Sequence, residues 1–251
     1  MPSKKPIPPT ADPTDTDKSR EKILRAALHE FSAHGLAGAR TDAIAESARV
    51  NKALLYYYFK NKEALYAAAF EEVLNRVMES TIAVLESNCS PGEQLLRLAL
   101  NHFDRILTQH EFQSLMQQEM VRFHRGKSTS IPLLVSRAFA PLLKIIEEAV
   151  QRGIRSGELC KVDWMQIMYS SYGSNVFYFM SAPMMRLSLS VEPFDPTTIE
   201  FRRKSAVQFL GNAIFVDRAH GAKLVRRVLA AMPMPAIDNP PVWRKLLEKK
   251  I

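Results

Sequence analysis

Residues 20–66 read REKILRAALHEFSAHGLAGARTDAIAESARVNKALLYYYFKNKEALY, and the apolar spacing along them sets the architecture of the N-terminal part of the chain. Ile23, Leu24, Ala27, Leu28 and Phe31 recur at i, i+1, i+4, i+5 and i+8, one face of a helix that starts near Asp17 and stops at Gly35. Thr41 then reads as the cap of a very short helix, with Asp42 complementing the dipole in its first turn and Ile44, Ala45 and Ala48 facing inward. After a break at Arg49 and Val50, Asn51 caps a second short helix, Lys52 to Tyr58, whose Leu55 and following Phe59 lie four apart on the buried side. The competing reading of the run LLYYYF is a buried β-strand, since aromatic residues favour strands. Asn51 before the run and the helix start at Lys62 and Glu63 after it favour the helix.

Small residues at 45 and 48 let the two short helices pack closely, while Ile44, Val50, Leu55 and Phe59 form a miniature core that holds the second helix as a rigid reading head. Its outward face carries Lys52, Ala53, Tyr56 and Tyr57. Tyrosine hydroxyls bond phosphate oxygens, their rings touch thymine methyls, and a lysine at the helix start reaches a base edge or a phosphate. The segment resembles the N-terminal DNA-binding domain of the TetR family of transcriptional regulators. The resemblance rests on Ile23-Leu24, Ala26-Ala27, Phe31, Gly35, Thr41, Ile44-Ala45, Ala48, Val50, Leu55-Tyr56, Tyr58-Phe59, Lys62-Glu63 and Leu65, in order and at family spacing. It implies DNA contact at Thr41, Lys52, Ala53, Leu54, Tyr56, Tyr57, Tyr58 and Lys62, with Thr41 and Lys62 clamping phosphates on either side of the groove. Arg49 departs from the family, which usually has glycine at that turn position. Either the turn is reshaped, or the strain of a left-handed residue is offset by an added phosphate contact.

Working outward, the first residues, MPSKKPIPPTADPTDT, have no apolar run and read as a disordered arm over 1–16, followed by a helix-turn-helix domain over 17–66. Asn61 to Ser87 continues as a long amphipathic helix without internal Gly or Pro, able to link two domains. Further helical blocks run roughly over 93–108, 111–125, 132–156, 163–181 and 196–215. With few glycines and no alternating Val/Ile/Thr run between hairpin signals, the fold class is all-α: a three-helix helix-turn-helix domain joined by a long helix to a helical domain over 67–216, then a basic extension over 217–251. Trp164 to Met185 lacks charge, but its Gln, Ser, Asn and Pro residues read as a buried helix rather than a membrane span.

No residues support catalysis. The chain has no GxSxG, Gly-rich phosphate loop or HExxH, its six histidines have no metal spacing, and Glu147 and Glu148 point in different directions on one helix. It is read as a non-enzyme without metal or cofactor. Cys89 and Cys160 are too few for a disulfide framework, which fits a reducing, cytoplasmic setting. The formal charge of +8 is not the footprint of the helix-turn-helix: residues 1–66 hold 11 basic and 8 acidic side chains, whereas residues 201–251 hold 11 and 3. The block HGAKLVRRVLAAMP is a basic amphipathic helix, whose commoner fate is to dock back on the protein body or on a dimer partner, and the rival function is a basic interaction protein acting at an anionic membrane surface through this extension.

The family resemblance implies a homodimer on a pseudo-palindromic operator, released by a small effector, with no membrane partner. Its dimer interface falls on 163–181 and 196–215. Large, adaptable or aromatic residues, among them Met165, Tyr169, Phe177 and Met180, suit either an apolar cavity or plain packing. From this set and the polar groups among it, Phe103, Met116, Met120, Phe123, His124, Met168, Tyr172 and Asn175 are the candidate residues for a largely apolar effector.

Overall fold

The computed structural model describes residues 13–85 and 88–236. It contains α1 (Pro13–Gly38), α2 (Thr41–Ser47), α3 (Lys52–Tyr58), α4 (Lys62–Leu85), α5 (Pro91–Thr108), α6 (His110–His124), α7 (Ile131–Leu134), a π-helical turn (Val135–Phe139), α8 (Ala140–Arg155), α9 (Trp164–Leu189), α10 (Pro196–Ile214) and α11 (Arg218–Ala231). Among the described residues the only β pairing is one isolated bridge between Leu159 and Phe215, so the all-α expectation holds. Of the arm expected over 1–16, residues 1–12 lie outside the described residues, while 13–16 already belong to α1. The chain divides into two compact units, residues up to 73 with 114–130, and residues 74–113 with 131 onward.

The first unit is built on the apolar face of α1. Ile23, Ala27 and Phe31 are fully buried with Ile44, Leu55, Leu65 and Phe70. Gly35 kinks α1 at φ 68° rather than ending it. A side chain there would be strained twice, by the positive φ and by a Cβ 3.1 Å from Gln118 Oε1. The same unit holds an ionic group: Tyr66 Oη donates to the buried Glu119 at 3.0 Å, Arg122 pairs with Glu119 at 3.2 Å, and Gln118 Nε2 donates to Ser32 O at 3.0 Å.

In the second unit the main core gathers Leu96, Leu100, Ala149, Val150, Val207 and Val228 from α5, α8, α10 and α11. Ser90 caps α5 and Pro91 occupies its first turn, where the missing N–H costs nothing. Arg203, 4% exposed, forms a two-pronged pair with Asp104, both contacts 2.7 Å, and also donates to Met232 O at 2.8 Å. Burial nonetheless outweighs Arg203 and holds the Asp104 carboxyl above its ordinary pKa.

Two expectations are corrected here. α9 does not stop at 181 but runs through Pro183 to Leu189, where Ser190 closes it in the left-handed region at φ 52°. Residues 217–231 are not a separate basic extension: Asp217 caps α11, and Leu224, Val225 and Val228 are buried in the core, so the apolar face offered to a membrane is already used. Residues 237–251 lie outside the described residues. No helix among the described residues is long and apolar enough to cross a membrane.

Candidate nucleic-acid interface and effector cavity

The first unit carries the helix-turn-helix. Asn51 caps α3 as expected, its Oδ1 accepting from Leu54 N at 2.7 Å, whereas Thr41 does not cap α2. Arg40 holds the cap position without a side-chain bond, and Thr41 is the first helical residue. The Thr41 hydroxyl is used instead to meet Tyr56 Oη at 3.2 Å, tying the start of α2 to the outer face of α3.

The turn keeps its left-handed form. Arg49 has φ 56°, its N–H donates to Glu46 O at 3.0 Å, and Val50 N–H donates to Ala45 O at 2.9 Å. That pair of bonds is the Schellman closure, which normally places glycine where Arg49 stands. Of the two alternatives left open by the sequence, a reshaped turn is therefore excluded, and Arg49 carries the strain with its side chain exposed.

Leu55 and Phe59 anchor α3 inward, which presents Lys52, Ala53, Tyr56 and Tyr57 to solvent, Tyr57 at 70% exposure, while Leu54 and Tyr58 are partly covered. Lys52 Nζ pairs with Asp42 Oδ1 at 2.7 Å, and this bond lowers the Asp42 pKa and raises that of Lys52. Lys62 Nζ donates to Ala37 O at 3.1 Å. Asp42 is thus a partner of the reading face, signalled in sequence only as an acidic residue of a first turn. The arrangement offers cations, hydroxyls and a methyl group on one exposed short helix, the donor set that duplex recognition uses.

The candidate effector residues are divided between the two units. Met116, Met120, Phe123 and His124 lie in the first unit, with Met120, Phe123 and His124 exposed and His124 Nδ1 bonded to its own helix at Met120 O, 2.7 Å. Phe103, Met168, Tyr172 and Asn175 lie in the second unit, where Phe103, Met168 and Asn175 are buried. Met165, Tyr169, Phe177 and Met180 are not core residues. They are exposed, and with Met184 they share one face of α9. Phe201 and Phe209 are likewise exposed on α10, at 74% and 69%.

The second unit contains a cavity of about 20 Å³ lined by Val77, His102, Arg105, Ile106, Gln109, Phe112 and Gln113, room for roughly one water. Tyr172 stacks on His102 with ring centroids 4.2 Å apart, and Asn175 Nδ2 donates to Ala99 O at 3.2 Å and contacts His102 Nδ1 at 3.5 Å. Burial and the neighbouring Arg105 push the His102 pKa down to about 3, and burial pushes that of Tyr172 up to about 12. Sequence reasoning named Tyr172 and Asn175 but missed His102 and Arg105. The available signal was a charged residue and a histidine three apart within the strongly amphipathic α5. A second, open groove of about 610 Å³ runs between α9 and α10, bordered by Gln166, Ser170, Arg202 and Phe209.

Comparison with known proteins bears on both units. Residues 23–69 match the family model for bacterial regulatory proteins of the tetR family, and residues 91–210 match that for a tetracyclin repressor-like C-terminal domain. The chain is 27% identical over 146 residues to the HTH-type transcriptional repressor NicS of Pseudomonas putida, covering 57% of this chain and 69% of NicS. It is 29% identical over 188 residues to the HTH-type transcriptional regulator RutR of Escherichia coli K12, covering 72% and 85%. The solved structure of FadR from Bacillus subtilis in complex with stearoyl-CoA superposes with a TM-score of 0.55 at 20% identity, over 76% of this chain and 96% of that one, a likeness of fold.

Proposed function

Because this chain belongs to the TetR family of bacterial transcriptional regulators, we infer that its helix-turn-helix reads a pseudo-palindromic operator as a homodimer and that a small, largely apolar molecule releases it. The observation that carries the reading is α3 itself: a rigid helix anchored by Leu55 and Phe59 that exposes Lys52, Ala53, Tyr56 and Tyr57 together. Two such helices enter successive major grooves about 34–36 Å apart. Thr41, Arg49 and Lys62 contact phosphates, and Leu54 and Tyr58 support the reading face at its edge. Lys52 gives up Asp42 for the DNA on binding, exchanging one exposed ion pair for another at little cost.

The exposed apolar faces of α9 and α10 support pairing with a second copy, since an unpaired row of Tyr169, Phe177, Met180 and Met184 beside Phe201 and Phe209 is unfavourable in water. A cytoplasmic setting accords with DNA as the partner. Effector coupling uses α6, one continuous helix. Phe112 and Gln113 near its start border the cavity with Gln109 just before it, and its later residues Gln118 and Glu119 bond Ser32 and Tyr66 in the DNA-binding unit. A ligand that widens the cavity displaces the start of α6 and favours an operator-incompetent spacing.

The test is selection of bound duplexes from a random pool by the purified full chain, followed by titration of the enriched site with Lys52→Ala and Tyr56→Ala. An enriched palindrome is expected, with binding by either variant weakened at least tenfold while the circular dichroism spectrum is unchanged. Absence of any enriched palindrome, or wild-type affinity in both variants, would overturn the reading.

A further inference from the structure

Arg105 is the unusual group of the second unit. It leaves α5 toward α4, and its hydrogen bonds among the described residues both come from Nη1, to Thr81 Oγ1 at 2.7 Å and to Val77 O at 3.1 Å. Three other arginines packed into the protein meet carboxylates, Arg97 with Glu93 at 2.8 Å, Arg122 with Glu119 at 3.2 Å and Arg203 with Asp104 at 2.7 Å, while Arg202 lies over the Tyr178 ring and donates to Ser174 O. A guanidinium has five N–H donors in a fork that matches a carboxylate, and among the described residues Arg105 meets no carboxylate. Burial disfavours its charge, the direction expected of a withdrawn cation without an anion.

The neighbouring groups add to the same pattern. His102, one helical turn before Arg105, lines the cavity with it. Asn175, anchored on Ala99 O, turns its amide N–H toward His102 Nδ1, which makes Nδ1 the acceptor and leaves the ring proton on Nε2. The ring is neutral over the physiological range, so it acts as a neutral donor and not as a second cation. Val77, Ile106 and Phe112 supply apolar walls, and the Gln109 side chain borders the cavity with its buried Oε1 unpartnered.

We propose that the effector cavity selects a carboxylate on a compact apolar or aromatic body, its two oxygens held by the free fork of Arg105 with the His102 Nε2 proton as a second donor. This rests on the cavity being the effector site of the regulator described above. The cavity, about 20 Å³, is far smaller than such a molecule, so entry requires its wall to move. Gln109, at the non-helical joint between α5 and α6, and Phe112 beyond it are the parts of that wall at the start of α6.

The experiment is thermal unfolding and calorimetric titration of the full chain with matched pairs: benzoate against benzamide, 4-hydroxybenzoate against 4-hydroxybenzamide, and hexanoate against hexanamide, with sodium chloride and inorganic phosphate as anion controls. At least one carboxylate should raise the Tm by roughly 3 °C or more at millimolar concentration, with its amide and the inorganic anions giving under about 1 °C. Arg105→Met should abolish that preference, weakening carboxylate binding at least tenfold, with a ligand-free Tm close to or above that of the wild type because a half-buried cation without a carboxylate is gone. Arg105→Lys, which keeps the charge and loses the fork, should bind more weakly than the wild type, and it serves as the deciding variant if the methionine variant does not fold. Equal response to acid and amide in every pair, or a carboxylate preference that survives in both variants, overturns the proposal. These readouts contain no DNA: a protein that selects a palindrome but ignores carboxylates refutes only the effector class, and one that takes carboxylates but selects no DNA refutes only the regulator reading.

Discussion

Replacing Arg49 by glycine should make the protein more stable. Arg49 holds φ 56° inside a closure whose two hydrogen bonds, at 3.0 and 2.9 Å, depend on that conformation. A residue with a Cβ pays about 1–2 kcal/mol for the left-handed region. Glycine removes that cost but loses about 0.5–1 kcal/mol through the greater freedom of the unfolded chain, which leaves a net gain of about 0.5–1 kcal/mol. Thermal unfolding at fixed protein concentration should therefore show a rise in Tm of about 1–4 °C. Hydrogen exchange localises the effect: the Val50 amide, bonded to Ala45 O, should be about two- to fivefold better protected in Arg49→Gly. Arg49→Ala is the decisive control, because it removes the same side chain but keeps the Cβ and hence the strain, so its stability should stay at the wild-type level. Both variants should lose the same phosphate contact, lowering the salt slope of operator binding by about 0.9 per protomer. If Arg49→Ala gained as much stability as Arg49→Gly, or if the glycine variant were less stable than the wild type, the backbone would not be the source of strain.

Four further outcomes follow from individual contacts. Asn51→Ala removes the side-chain N-cap of α3 and should cost about 1 kcal/mol, with operator affinity falling more than global stability. Arg203→Met strands the Asp104 carboxylate and should cost about 3–5 kcal/mol in denaturant unfolding, whereas the double variant Arg203→Met with Asp104→Leu should recover part of the loss. Gly221→Ala places a Cβ 2.9 Å from the backbone oxygen of Gly211, where neither helix can yield locally, and should destabilise by about 1–3 kcal/mol. His102 is neutral in the fold with a pKa near 3 and takes up a proton on unfolding below pH 6.5, so stability is complete above pH 6.5 and declines as pH falls toward 3. Between pH 6.5 and 5.5 the loss should be about 1 kcal/mol and should vanish in His102→Gln, read by denaturant titration at each pH.

How much was legible in the sequence varied with the range of the interactions involved. The anchoring of α3 was readable because Asn51, Leu55 and Phe59 act within one or two helical turns. Thr41 was misassigned for a related reason: threonine is a good cap, but the local pattern did not reveal that Tyr56, fifteen residues on, would engage its hydroxyl. α9 extends past the expected end at 181 because burial of Tyr178, Phe179 and Ala182 holds the helix through Pro183, a breaker by propensity. Met165, Tyr169, Phe177 and Met180 were grouped with buried residues because composition does not tell an inward face from an outward one in a helix apolar all round.

By itself, the sequence determined the all-α class, the helix-turn-helix and the side chains that α3 turns outward, since each depends on helical periodicity and short-range capping. Only the tertiary structure decided that Arg49 keeps the left-handed turn, that α11 is core rather than a free basic extension, and that Arg203 finds Asp104, ninety-nine residues away, while Arg105 meets no carboxylate among the described residues. The physical reason is that a charge's worth depends on what surrounds it after folding. Arg203 and Arg105 are the same residue type on helices of one unit, and long-range packing alone made one a structural strut and left the other lining a cavity with no carboxylate partner among the described residues.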